Sequence, residues 1–183
     1  MDHKGWYSRG YLPHFDSPET VQFVTFRLAD SLPREVVEAL RLEDRAVLKI
    51  DRELDSCAGD CWLRRPEIAE IVQGALFHFD GDRYRLLAWC VMPNHVHVVI
   101  EPVQGFLLSG IVHSWKSFTA NKANGILLRK GAFWHDDYFD RYMRDEADLS
   151  RTISYVKRNP VKAGLIDRAE DWLWSSARLP RSF

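Results

Sequence analysis

Tyr84-Arg85-Leu86-Leu87-Ala88-Trp89-Cys90-Val91-Met92-Pro93-Asn94-His95-Val96-His97-Val98-Val99-Ile100 reads as two strands and the turn between them. Apart from Arg85, the run from Tyr84 to Val91 is almost wholly apolar, the pattern of a buried strand. Met92-Pro93-Asn94 supplies the turn, since proline presets φ and asparagine tolerates turn backbone. The chain returns from His95 to Ile100, and Pro102 stops the strand because it has no N–H to give the ladder. Strand side chains alternate between faces, so His95 and His97 point one way while Val96 and Val98 enter the core. One face of this hairpin is expected to carry chemistry and the other to pack.

Outward from the hairpin, Val21-Gln22-Phe23-Val24-Thr25-Phe26 is rich in β-branched and aromatic residues and predicts a first strand. Pro33 opens a helical pattern with Val36, Val37, Leu40, Val47 and Leu48 as its apolar stripe. The stretch from Cys57 to Trp62 interrupts that pattern, and a second helix follows Pro66 with Ile68, Ile71, Val72 and Leu76 at helical spacing. Leu107 to Asn124 predicts a long amphipathic helix with Leu107, Ile111, Trp115 and Phe118 on one side. A short extended piece, Tyr138 to Met143, precedes a last helix from Asp145. The order strand, helices, hairpin, helix, strand, helix specifies an α+β fold. Its economical form is a ferredoxin-like sandwich, one antiparallel sheet with helices mainly on one face.

The chain has 183 residues, 46% of them hydrophobic and 28% charged, values that suit one globular domain spanning 1–183. There is no internal repeat and no low-complexity tract. No run of 18 apolar residues offers a membrane span, and Met1-Asp2-His3-Lys4-Gly5-Trp6 has no secretory pattern. The expected compartment is therefore the cytoplasm. Cys57, Cys61 and Cys90 are an odd set without an export signal, which argues against a disulfide framework, and too few for a four-cysteine zinc site. Net charge is −1, so no global basic field advertises nucleic acid. The charge is nevertheless segregated. Arg141, Arg144, Arg151, Lys157, Arg158 and Lys162 face only Asp145, Glu146 and Asp148, whereas acidic residues gather between Glu43 and Asp60. The C-terminal third is the part suited to phosphates.

Two segments offer chemistry. The Cα atoms of His95 and His97 are expected roughly 6.5–7 Å apart, a span that two ligands of one metal can bridge. The plain alternative is a pair of polar residues on a solvated sheet face. His95, His97 and Glu101 also spell the first metal motif of cupins. Trp89 stands where that motif wants glycine, however, no second histidine motif follows, and long helices do not suit a jelly roll. In the last helix, Asp145 is an N-cap candidate, and Leu149, Ile153 and Val156 form the expected buried stripe. Tyr155 sits to one side of that stripe and Asn159 follows one turn later, bordered by Arg151 and Arg158. Here the plain reading is a tyrosine at the core's edge and, because Asn159 precedes Pro160, an asparagine at a helix end.

Taken together, these segments resemble the REP-associated tyrosine transposases, relatives of the insertion-sequence single-strand transposases that carry a His-hydrophobic-His motif. Met92-Pro93-Asn94-His95-Val96-His97 resembles that family's metal hairpin. Tyr155-Val156-Lys157-Arg158-Asn159-Pro160-Val161-Lys162-Ala163-Gly164-Leu165 resembles its nucleophile helix and the turn after it. Gly10-Tyr11-Leu12-Pro13-His14, Phe26-Arg27-Leu28-Ala29-Asp30, Phe133-Trp134 and Asp171-Trp172-Leu173-Trp174-Ser175-Ser176 extend the likeness over nearly the whole chain. The resemblance implies that His95 and His97 bind a divalent metal ion, Mg²⁺ or Mn²⁺, and that Tyr155 is the nucleophile. The insertion-sequence relatives complete the metal site with a glutamine four residues after the tyrosine. Asn159 stands there in this chain, so direct ligation and ligation through a water both stay open. The region from Cys57 to Trp62 is longer than in compact members of the family and has no assigned role.

The implied reaction cuts and rejoins single-stranded, hairpin-forming DNA, of the kind found in repetitive extragenic palindromes, through a 5′-phosphotyrosine. Arg151 and Arg158 would favour a phenolate on Tyr155, and Lys116, Lys157 and Lys162 are candidate DNA contacts. Trp115 is a candidate for base stacking, although it lies on the apolar side of its helix. The expected setting is the bacterial nucleoid, with the protein acting as a monomer or homodimer. Two alternatives are a non-catalytic hairpin-DNA-binding protein on the same scaffold and a replication initiator or relaxase. The latter usually places its tyrosine differently from the 155 − 97 = 58 residue spacing seen here.

Overall fold

The structure is a computed structural model that describes residues 5–8, 13–17, 19–32 and 53–178. Strands β1 (Gly5–Ser8) and β2 (Pro13–Asp16) form an N-terminal hairpin. Strand β3 (Gln22–Arg27), helix α1 (Pro66–Phe77), strands β4 (Tyr84–Val91) and β5 (His95–Pro102), and helix α2 (Leu108–Ile126) follow. Strand β6 (Phe139–Tyr142) and helix α3 (Glu146–Lys162) complete the set. The helix expected to open at Pro33 lies outside the described residues.

Strands β4, β5, β3 and β6 form one antiparallel sheet in that spatial order. A strand, a helix, a hairpin, a second helix and a fourth strand at the far edge make up the ferredoxin-like arrangement expected from the element order. Alternation divides the sheet into two faces. Val24, Phe26 and Leu28 of the β3 segment join Val96, Val98 and Ile100 of β5 on the face covered by α1 and α2, against Ile68, Val72, Leu76, Ile111 and Trp115. Phe23, Val99, Cys90 and Met92 occupy the other face, against Val156 of α3. A bulge between Leu86 and Ala88 shifts the parity of β4, so Leu86 and Trp89 both reach the first core.

The plain alternative of a solvated histidine face is excluded, because α3 packs across that face and both faces of the sheet are buried. The apolar run of β4 records that double coverage. Among the described residues no helix is long and apolar enough to cross a membrane.

Helix α3 begins as predicted, with the Asp145 side chain accepting a hydrogen bond from the Asp148 N–H at 2.7 Å. Its end differs from expectation. The helix runs through Pro160 to Lys162, and Asn159 therefore sits within it rather than at a cap. Pro160 has no N–H to give the carbonyl four residues earlier, so the helix passes through it with one backbone bond fewer. Gly164, at φ +68°, then closes the helix: its N–H bonds Val161 O at 3.0 Å, and Leu165 N–H bonds Pro160 O at 2.9 Å. The buried stripe is likewise rotated from the expected one. Thr152, Val156 and Asn159 are buried, whereas Leu149 and Ile153 are only partly so.

Both sheet edges are covered. Along β4, Val91 N–H bonds Trp174 O and Ser176 N–H bonds Trp89 O, at 2.9 and 3.0 Å. Beyond β6, the fully buried His14 of β2 donates from Nδ1 to Asp140, and its Nε2 lies 3.1 Å from Asp137 Oδ1. Asp140 also accepts from Phe15 N–H at 2.9 Å. Burial alone would lower the His14 pKa, but hydrogen bonds and charge from Asp137 and Asp140 outweigh it and raise the value from 6.5 to about 9.

A raised histidine pKa contributes stability that is complete below the unfolded-state value and is lost as pH climbs through the folded-state value. Denaturant unfolding followed from pH 6.5 to 9.5 is expected to show stability falling by up to about 3 kcal/mol, with a much flatter profile for Asp140→Asn. Stability indifferent to pH over that window would refute the clamp.

Candidate active site

Cross-strand register assembles the centre of the site. On β3, Thr25 stands directly opposite His97 of β5, and Arg27 opposite His95. The Thr25 hydroxyl lies 2.8 Å from His97 Nδ1, and Asn94 Oδ1 lies 2.8 Å from His95 Nδ1. Asn94 is itself held, its Nδ2 donating to Ala58 O at 3.3 Å. Each ring therefore has an oxygen within hydrogen-bond reach of Nδ1, and in the tautomer with the proton there Nε2 is the lone-pair nitrogen.

The two Nε2 atoms meet at 3.0 Å. Asn159 of α3 completes the group from above, with Nδ2 3.2 Å from His97 Nε2. Its Oδ1 is buried and has no hydrogen-bond partner among the described residues. A half-turn of the amide exchanges those two atoms.

All three side chains, His95, His97 and Asn159, are fully buried. Burial lowers the His95 pKa to about 3, helped by the charge of Lys162. Burial, His95 and Lys162, in that order, hold His97 well below 6.5. Both rings are thus neutral at physiological pH, as a metal-binding imidazole must be. Cys90, opposite His97 in the β4–β5 ladder, stays a thiol because burial pushes its ionisation up.

With both ring protons on Nδ1, two Nε2 lone pairs and the orphaned carboxamide oxygen converge on one point, a donor set of the kind that suits a cation. The 3.0 Å separation matches adjacent corners of an octahedral ion, whose ligand distances are about 2.1 Å. Among the described residues no cluster of three or more His, Cys, Asp or Glu side chains has metal-binding geometry. This seat is instead two imidazoles and an amide. Cys57, Cys61 and Cys90 are free thiols.

The half-buried Tyr155 ring packs edge-on to His97, with centroids 5.5 Å apart and planes at 65°, and lies 6.1 Å from Phe23. Phe23 in turn stacks on His97 at 5.5 Å. Lys162 Nζ is 5.3 Å from the Tyr155 ring centroid. Outward from the ring, Arg151, Ser154, Tyr155, Arg158, Val161 and Lys162 line a pocket of about 340 Å³.

Of the residues singled out in the sequence, His95, His97, Asn159 and Tyr155 thus converge, and Arg151, Arg158 and Lys162 surround the tyrosine. Lys157 does not join them, being turned about 200° around α3 from Tyr155. Lys116 is on the other side of the sheet, where its Nζ donates to the carbonyls of His135 and Asp136 at 2.7 Å each. Trp115 is a core residue whose Nε1 donates to the Tyr84 hydroxyl at 2.9 Å. Sequence reasoning missed Thr25, Asn94 and Phe23. The signal for Thr25 was present, because Thr25 and Arg27 are polar residues that alternate with the apolar Val24 and Phe26.

The family model for "Transposase IS200 like" proteins matches residues 65–159, from the residue before α1 to Asn159. A REP-associated tyrosine transposase of Escherichia coli (strain K12) is 22% identical over 108 residues, 58% of this chain and 63% of that relative. A Haemophilus influenzae protein provisionally given the same name is 23% identical over 106 residues, 51% of this chain and 58% of that relative. The matches span less than two thirds of either relative's length. Among solved structures, a REP-associated tyrosine transposase bound to a REP hairpin has a TM-score of 0.60 and 19% identity, covering 94% of this chain and 82% of that one. At that identity the likeness speaks for the fold. The resemblance read from the sequence is borne out in these comparisons.

Replacing Thr25 with valine keeps the shape but leaves His97 Nδ1 buried without its acceptor, at an expected cost of about 1–3 kcal/mol. Urea unfolding of Thr25→Val measures it. A loss below about 0.5 kcal/mol would mean that the hydroxyl does not hold the ring.

Proposed function

The chain belongs to the IS200-like transposase family, and on that premise we propose that it cuts and rejoins single-stranded, hairpin-forming DNA through a covalent bond to Tyr155. The observation that carries the reading is the packing of the Tyr155 ring against His97, 5.5 Å between centroids, at the mouth of the imidazole–carboxamide seat. A tyrosine with a purely structural role does not need two neutral, facing imidazoles beneath it.

In this reading Tyr155 Oη attacks the scissile phosphorus. The bond from phosphorus to the 3′ oxygen breaks, the phenol proton leaves to solvent, and the products are a 5′-phosphotyrosine and a free 3′-hydroxyl. Because the ester bond is exchanged rather than hydrolysed, another 3′-hydroxyl can reverse the step and join a new end without a nucleotide cofactor. Arg151 and Arg158, which with Lys162 line the pocket beside Tyr155, bind the backbone phosphates on either side of the scissile bond.

His95 and His97 through Nε2, and Asn159 through Oδ1, would hold Mg²⁺ or Mn²⁺, with a mixed nitrogen and oxygen donor set suited to either ion. A cation bound there would neutralise charge developing on the phosphate oxygens. Thr25 and Asn94 fix the ring orientations that make this possible. The solved neighbour is bound to a REP hairpin, and a hairpin of that kind is the substrate class proposed for this chain.

Purified protein incubated with labelled single-stranded hairpin DNA and Mn²⁺ is expected to yield a covalent protein–DNA band on a denaturing gel. Tyr155→Phe should reduce that band by at least about 1,000-fold while unfolding normally in denaturant. An adduct that survives in Tyr155→Phe would assign the nucleophile elsewhere. Hairpin binding without cleavage across metals and substrates would favour a non-catalytic DNA-binding role.

A further inference from the structure

The segment from Glu53 to Cys61 carries no role in the reaction as read so far, yet it touches the site twice. Ala58 O holds Asn94, which orients His95. Asp55 Oδ2 lies 2.9 Å from Lys162 Nζ, a contact between residues 107 apart in the chain. Its other oxygen, Oδ1, is buried without a hydrogen-bond partner among the described residues. The Asp55 side chain is only 13% exposed against 45% for Lys162, so the carboxylate is the fixed member of the pair and the ammonium the movable one.

A lysine at a helix end samples many rotamers, and holding one of them costs entropy. Here three features select one. The ammonium sits at the negative end of α3, lies 5.3 Å from the centre of the Tyr155 ring, and meets a carboxylate kept largely from water. Without Asp55, the pull of the helix end and the ring leaves Lys162 free to swing toward solvent or toward any phosphate nearby.

We propose that Asp55 is a positioning residue of this site, its carboxylate aiming the Lys162 ammonium at Tyr155 so that a cation stands beside the phenol before DNA arrives. The assignment rests on the reading of Tyr155 as the nucleophile. A fixed ammonium there stabilises negative charge on the phenol oxygen as it attacks. It also spares the active complex the entropy of ordering a lysine at that moment. Asp55 itself touches neither DNA nor the reacting atoms.

The test compares single-turnover adduct formation and DNA affinity for the full-length wild type, Asp55→Asn, Lys162→Met and the double variant, on one hairpin substrate with Mn²⁺. Asp55→Asn is expected to slow adduct formation at saturating DNA by roughly tenfold or more, with affinity within about threefold of wild type. The double variant is expected to be no slower than Lys162→Met alone. An equal further loss in the Lys162→Met background would show that Asp55 acts by its own route, and faster adduct formation with tighter DNA binding in Asp55→Asn would make it a competitor of the phosphate. Either result overturns the proposal. A second readout does not depend on catalysis. The Lys162 ammonium should give a slowly exchanging ¹H–¹⁵N signal in the DNA-free wild type that disappears in Asp55→Asn, and its persistence there would also overturn the proposal. If no DNA yields an adduct, the nucleophile reading falls, while the ammonium signal still decides whether Asp55 fixes Lys162.

Discussion

Two imidazoles facing each other nitrogen to nitrogen at 3.0 Å, in an interior from which water is excluded, either share a proton in a hydrogen bond or turn both lone pairs toward a cation, according to their tautomers. The rest of the site follows from how the chain builds and tolerates that arrangement. Alternation on β5 puts both rings on one face. Register with β3 supplies a hydroxyl behind one ring, and the β4–β5 turn supplies a carboxamide behind the other. Oxygen partners sit on the Nδ1 side of each ring, and when they take the Nδ1 protons the lone pairs are directed inward. Neutrality follows from the same burial, since charging either ring in that setting is strongly unfavourable.

Helix α3 has two consequences for this centre. It seals the sheet face, which turns a solvated pair of histidines into a buried one, and it delivers Asn159 and Tyr155 from adjacent turns onto the same ring. The helix also continues past Pro160. Ending the helix at Asn159, as the X-Pro step suggests, would give up the turn that carries Lys162. The Gly164 closure shows where the helix is designed to stop. The ferredoxin-like frame supports this from behind: α1 and α2 pack on the opposite face, so the chemistry-bearing face needs only one covering helix.

Much of this was legible in the chain. The apolar run to Val91, the turn at Pro93 and Asn94, and the alternation at His95 and His97 fixed the hairpin and its faces, because strand periodicity depends on local geometry alone. Tyr155 and Asn159 could be paired by helical spacing, and the family resemblance linked them to the histidines. What the sequence withheld were relations across the sheet. Thr25 is one β-branched strand residue among many until register sets it against His97. Asn94 reads as a turn former until its amide is seen behind His95. Asp55 belongs to a segment with no periodic signal, and its partner is more than a hundred residues away. The burial of the histidine face was also hidden, since nothing local to β5 says that a distant helix will cover it. Lys116 and Lys157 show the converse: a basic residue near a motif in sequence is carried out of reach by the side of the helix or sheet it occupies.

The chemistry of this site turns on whether the facing imidazoles take a cation. Mn²⁺ bound to the protein with ¹⁵N-labelled histidine, followed by pulsed electron paramagnetic resonance, measures this without reference to activity. The predicted spectrum shows two directly coordinated histidine nitrogens, and the couplings vanish when His95 and His97 are replaced by alanine. Mn²⁺ bound only to carboxylates or water, with no histidine nitrogen in its coordination sphere, would contradict the account.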